Sequence, residues 1–135
     1  GGSVVTTAHA LEAVGPVPAG VRVLEDAAVY AQGLRYEDLV RAADVVVPKP
    51  GYGIIAECIA NDSAMLYTDR GRFAEFDVLG DAMPKYLRAG FMPRDDLFQG
   101  RWQHHLDAVI ASPAPPERPR TDGALVAAGN LLAAS

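Results

Sequence analysis

The stretch of this chain best suited to chemistry runs from Asp44 to Glu57. A valine run ends in Pro48-Lys49-Pro50-Gly51-Tyr52-Gly53, and an apolar stripe of Ile54, Ile55, Cys58 and Ile59 follows at helical spacing. A buried strand that breaks into a glycine-containing turn and then a helix aims free backbone N–H groups and the positive end of the helix dipole at one point beyond the sheet. Such a point suits a phosphate. Lys49 adds a full positive charge at the same mouth, and glycine at 51 and 53 lets the main chain approach an anion with no Cβ in the way. The same pattern also serves where a tight strand-to-helix turn is all that the fold needs, so the residues alone leave both readings open. Glu57, at the border of the apolar stripe, likewise has two readings. It complements the helix dipole, or it reaches back to a ligand hydroxyl such as that of a ribose.

These residues need a frame to hold them. Short β-branched runs alternate with longer helical patterns along the chain, the mark of βαβ units and a parallel sheet. Strands are expected at Val4 to Thr7, Val21 to Leu24, Val45 to Val47 and Met65 to Thr68. The valine run, lying between two helical segments, is expected to be central and buried on both faces. Helices are expected at Tyr36 to Ala43, from about Gly53 onward, at Phe76 to Leu79, Met83 to Ala89 and Trp102 to Ile110, and at Gly123 to Ala134, the last docked on the body through its Ala and Leu residues. The Pro-rich run at 112–120 reads as a stiff extended connector to that last helix. The fold class is therefore α/β, a Rossmann-like three-layer sandwich with a parallel sheet, in a single domain spanning residues 1–135.

Composition narrows the functional classes. With 135 residues, 50% hydrophobic and 21% charged, the chain is an ordinary globular domain, able to bury roughly two thirds of its unfolded surface. The net charge of -5 provides no global positive field for nucleic acid or an anionic membrane, so a phosphate ligand must be held locally. The one cysteine, Cys58, excludes an intrachain disulfide and multi-cysteine metal sites, and on the apolar stripe it reads as inert packing. No apolar run approaches the ~20 residues of a membrane span, and no basic residue precedes Arg22 to start a secretory signal, so a cytoplasmic protein is expected. Gly1-Gly2-Ser3 reads as a linker remnant.

Taken together, Pro48 to Glu75 resembles the nucleotide-sugar signature in the C-terminal domain of GT-B glycosyltransferases. The run Lys49-Pro50-Gly51-Tyr52-Gly53 with Glu57 is especially similar to the glycosyltransferase-like region of bacterial homologues and plant arabinokinases. The resemblance implies half of a GT-B fold that binds a nucleotide-diphospho-sugar donor, such as a UDP-sugar, for transfer of a hexosyl group without a metal or other cofactor. It places the donor diphosphate on the backbone of Gly51, Tyr52 and Gly53 with Lys49 beside it, the ribose on Glu57, and the donor sugar against Arg70 and Glu75. The family's turn before the next strand is often Gly-x-Pro, where this chain has Asp62-Ser63-Ala64, and Phe76 follows Glu75 where members often carry glutamine. The family also implies an N-terminal acceptor domain holding the catalytic base, so no catalytic residue is assigned to this chain. A donor half without that domain is expected to be inactive alone. The family's C-terminal domain also usually opens with a strand, a Gly-rich turn and a helix that have no counterpart here, so an uncovered edge and self-association are expected. The alternative is a non-catalytic nucleotide- or phosphate-binding interaction module of the same fold.

Other candidates are thinner. His104 and His105 are neighbours, so on a helix their Cβ atoms diverge by about 100°, and His9 stands apart; no metal site is expected. Trp102 reads as a core or lid anchor, and Ser63 and Ser112 lack His/Asp partners in sequence. Lys49-Pro50 after a valine run also occurs in signalling receiver domains, but those carry the pair late in the chain and an acidic cluster after the first strand, whereas here that strand leads into Thr6-Thr7-Ala8-His9.

Overall fold

The computed structural model describes residues 2–8, 19–69 and 76–134. Positions 9–18 and 70–75, and with them His9, Arg70 and Glu75, lie outside the described residues. The chain forms two compact units, Gly1–Leu39 and Val40–Ser135.

In the first unit, β1 (Val4–Thr7) and β2 (Val21–Leu24) pair in parallel, with Val4 opposite Val21 and Thr7 opposite Leu24. Both have the bounds expected from their β-branched runs. A six-residue helix that the sequence reading missed, α1 (Asp26–Ala31), follows and buries Val29. It is too short to show a helical period. Helix α2 (Tyr36–Ala42) opens where the Asp38 carboxylate accepts the Arg35 N–H at 2.8 Å, half of a capping box, and it carries the chain into the second unit.

The second unit holds a sheet of β3 (Val45–Val46), β4 (Ala64–Tyr67) and β5 (Ala89–Phe91), ordered β3-β4-β5 and parallel throughout. The helices are α3 (Tyr52–Asn61) between β3 and β4, α4 (Phe76–Tyr86) between β4 and β5, and then α5 (Arg94–Phe98), α6 (Gln103–Ala111) and α7 (Gly123–Ala133). This is a Rossmann-like α/β arrangement. Strand β4 organises it, because successive side chains point to opposite faces. Met65 and Tyr67 join Ile55 and Cys58 of α3, Leu79 and Met83 of α4, Leu87 and Val40 in the main core. Leu66 faces the other way, toward α6. There Gly90 lets the layers close up, since a Cβ on it would come 3.2 Å from Leu66 Cδ1 and 3.5 Å from Val109 Cβ. Met65 and Leu66 are completely or almost completely shielded, and burial of each such side chain contributes about 1.5–3 kcal/mol.

Three expectations are corrected. The valine run is not central: β3 is an edge of its three-stranded sheet and Val47 is exposed, while the fully buried strand is Ala64-Met65-Leu66-Tyr67. Consecutive valines report β propensity, not position in the sheet. The two short helices expected around Met83 are one helix, α4, which continues through Pro84, and Ala89 belongs to a strand, β5, that Ala-Gly-Phe gives no pattern for. Helix α7 does not dock: it buries no residue, and Leu125, Leu131 and Leu132 are all more than 70% exposed. Alanine and leucine there signal helix propensity rather than burial. The Pro-rich connector forms neither helix nor strand, and it is tied to the body by Glu117 N–H donating to the Lys85 carbonyl at 3.0 Å and by an Arg118–Asp62 ion pair at 3.4 Å. Among the described residues no helix is long and apolar enough to cross a membrane.

Candidate functional site

The turn after β3 leaves the C-terminal edge of a parallel strand, where open α/β sheets receive ligands. Val47 to Gly51 make this turn, with Pro50 buried beneath it and Lys49 exposed at its surface. Gly51 is the N-cap of α3, and its φ of -171° and ψ of 159° are extended backbone open to any residue. Ile55 N–H donates to the Gly51 carbonyl at 3.1 Å and closes the first helical turn, so the N–H groups of Tyr52, Gly53 and Ile54 lie ahead of the ladder at the open end of the helix. A Cβ on Gly53 would meet nothing within 4 Å, and Tyr52 is 61% exposed. The mouth is main chain, with a lysine beside it.

Lys49, Gly51, Tyr52 and Gly53 are thus gathered around one helix terminus. Glu57 is the sixth residue of α3, about 7.5 Å along the axis from Tyr52, and half-buried. The first turn holds no acidic residue, and dipole effects fade beyond it, which weakens the dipole reading of Glu57. Behind it Cys58 is fully buried; burial first, and the Glu57 charge second, push its thiol up to about 11, so it stays protonated and inert. At the far end of α3, Asp62 takes the left-handed conformation at φ 58°, the place a glycine commonly fills. This is how Asp62-Ser63-Ala64 makes its turn without Gly-x-Pro. Ser63 Oγ then donates to the Val40 carbonyl at 2.8 Å, and Ser112 Oγ to the Val109 carbonyl at 2.7 Å, so both hydroxyls are engaged with the main chain.

Two features escaped the sequence reading. Thr68, just past β4 at the same edge of the sheet, has a buried Oγ1 with no hydrogen-bond partner among the described residues. An unmet buried hydroxyl costs about 1–3 kcal/mol, and at a strand terminus it is a candidate ligand contact. The second is a polar cluster on α5 and α6. Asp96 Oδ1 lies 2.6 Å from Arg101, while Oδ2 lies 2.8 Å from His105 Nε2 and 3.9 Å from His104 Nε2. The hydrogen bond with His105 first, and that with Arg101 next, hold the Asp96 carboxyl below the usual carboxylate range. The arrangement depends on Gly100, whose φ of 71° turns the chain after α5 so that Arg101 N–H reaches the Asp96 carbonyl at 2.9 Å. Trp102 Nε1 donates to the Leu97 carbonyl at 2.8 Å, which ties the start of α6 to α5. A shallow cavity of about 140 Å³ lies between β4, β5 and α6, lined by Leu66, Gly90, Phe91, His105 and Val109 among others. It is too small for a nucleotide, whose sites span about 300–1,000 Å³.

Comparison with known proteins gives one distant relation. The chain is 27% identical over 74 residues to L-arabinokinase of Arabidopsis thaliana, an alignment covering 55% of this chain and 7% of that protein. No family model matches the chain, and no solved structure matches it. The relation is a hint of a sugar-related protein.

Proposed function

We propose that the mouth at Lys49, Gly51, Tyr52 and Gly53 binds the diphosphate of a nucleotide-sugar, and that the chain is the donor-binding half of a GT-B glycosyltransferase. The observation that carries this reading is the exposed N-terminus of α3, set at the C-terminal edge of a parallel strand with Lys49 beside it. The distant likeness to a protein named for a sugar substrate supports it. In this reading Glu57 accepts hydrogen bonds from ribose hydroxyls, and Arg70 and Glu75 face the donor sugar. The helix terminus and Lys49 stabilise the negative charge that grows on the leaving diphosphate. The acceptor and the catalytic base belong to another domain, so the chain alone binds and does not transfer.

A second reading keeps the same mouth without transfer, as a phosphate-binding interaction module. It draws on the fact that a site of main-chain N–H groups and one lysine recognises phosphate whatever is attached to it. Calorimetry of the chain against UDP-, GDP- and TDP-sugars, with pyrophosphate alongside, separates the two. The donor reading expects a nucleotide-sugar to bind more tightly than pyrophosphate, with Lys49→Ala weakening both. Equal affinities favour the module, and no binding of either removes the mouth from both readings.

A further inference from the structure

The cluster on α5 and α6 has the composition of a metal site. One ligand atom from each of Asp96, His104 and His105 lies within 4.8 Å of the other two, so that two imidazoles and one carboxylate are gathered together. Tetrahedral coordination at 2.0–2.2 Å spaces donor atoms roughly 3.3 Å apart. The observed 2.8 Å and 3.9 Å from Oδ2 to the two rings bracket that value. Both spacings adjust on binding: the 2.8 Å His105–Asp96 hydrogen bond gives way to two bonds to the ion, with His105 Nε2 unprotonated, and His104, whose side chain is 66% exposed, moves in from 3.9 Å.

Ordinary hydrogen bonding accounts for only part of this geometry. The His105–Asp96 bond satisfies one ring and one carboxylate oxygen, yet the His104 ring turns toward the same oxygen and stacks on His105 with centroids 3.8 Å apart and planes tilted by 40°. Arg101 holds the other oxygen, Oδ1, and so fixes the carboxylate with Oδ2 facing the rings, as outer partners orient metal ligands. Its charge opposes a cation, so binding is moderate rather than tight. We propose that Asp96, His104 and His105 bind one first-row divalent cation, of the kind imidazole and carboxylate donors favour, with at least one coordination position left open beside the cavity that His105 lines. The site is independent of the phosphate mouth.

The test titrates the 135-residue chain with Zn²⁺ alone by calorimetry and with Co²⁺ by visible absorption. The expected result is one ion per chain, with cobalt bands of a low-coordinate nitrogen and oxygen site and weaker binding in acid, where protons compete for imidazole. Because Asp96 and His105 also hold α5 to α6, the deciding variant is the exposed His104→Ala, checked by circular dichroism. Loss of one of three ligands is expected to weaken binding by at least about tenfold, since even outer partners are worth that much. His9→Ala and Lys49→Ala are expected to leave the ion in place. Absence of saturable binding, or binding that survives His104→Ala or is lost with His9→Ala, overturns the assignment.

Discussion

The two polar sites of the second unit are built in opposite ways. The mouth at Pro48 to Gly53 is main chain at a helix terminus, exposed, with a lysine beside it, and its parts are contiguous in sequence. The cluster at Asp96, His104 and His105 is side chain, half-buried at Asp96 and His105 and exposed at His104, and the Asp96–His105 hydrogen bond joins two helices across a glycine turn. The first needs only a strand, a turn and a helix to exist, so its geometry survives most substitutions of side chains. The second exists only if α5, Gly100 and α6 are all in place. A backbone site should therefore fail through bulk and a side-chain site through loss of a single group.

The largest effect is expected from Gly51→Val. Because Gly51 is extended, valine adopts its conformation without strain, and the fold should be retained. The branched side chain then stands at the mouth, and nucleotide affinity should fall below detection. Unfolding of the variant, or unchanged affinity, breaks the claim that this site is limited by bulk. Next comes Glu57→Gln, which should cost a ribose-bearing ligand about 1.5–3 kcal/mol, the value of a hydrogen bond to a charged group. Pyrophosphate binding and the melting temperature should hardly change. A sharp fall in melting temperature with affinity intact returns Glu57 to a purely structural role.

The contrast also explains what could be read beforehand. The parallel α/β class, β1, β2 and the start of α3 near Gly53 were legible because each is a local pattern of β-branched runs, glycines and a helical stripe. Position was not: three valines do not say edge or centre, and the buried strand Ala64–Tyr67 carries no β-branched residue. The sequence argument at His104 and His105 rests on the 100° divergence of neighbouring helical residues, which concerns Cβ directions and does not fix where the rings end. Long imidazole side chains overcame it, and the third member lies on α5, a five-residue helix with no periodicity to reveal it. Thr68 Oγ1 could only be recognised once its lack of a partner was visible in space.

Two smaller effects sharpen the mouth. Thr68→Val replaces a buried hydroxyl that has no partner among the described residues by a methyl of similar shape, so the free chain should gain about 1 kcal/mol in urea denaturation while nucleotide affinity falls. A gain in stability with affinity unchanged removes Thr68 from the site. Gly53→Ala places a Cβ in open space within a helix, where alanine is favoured by about 0.5–1 kcal/mol. The variant should melt higher yet bind phosphate less well, because the methyl stands beside the N–H groups proposed to meet the anion. Unchanged affinity shows that close approach at residue 53 is not used.

The smallest effect belongs to the side-chain site and concerns pH. The Asp96 carboxyl is held below its ordinary range by the hydrogen bond with His105 and then by Arg101, so its folded value lies under its unfolded one. A group lowered in this way contributes stability that is present above its unfolded value, ordinarily about 3.9, and lost as pH falls through the folded value. Asp96→Asn should therefore lower the urea midpoint slightly near neutral pH, and the gap from the unsubstituted chain should close in stronger acid. Nucleotide affinity at neutral pH should be untouched, as no shared group links Asp96 to the mouth. A gap that persists undiminished into strong acid identifies the loss as packing rather than charge. The cluster would then be a structural joint between α5 and α6, and the two sites would differ less in kind than their geometry implies.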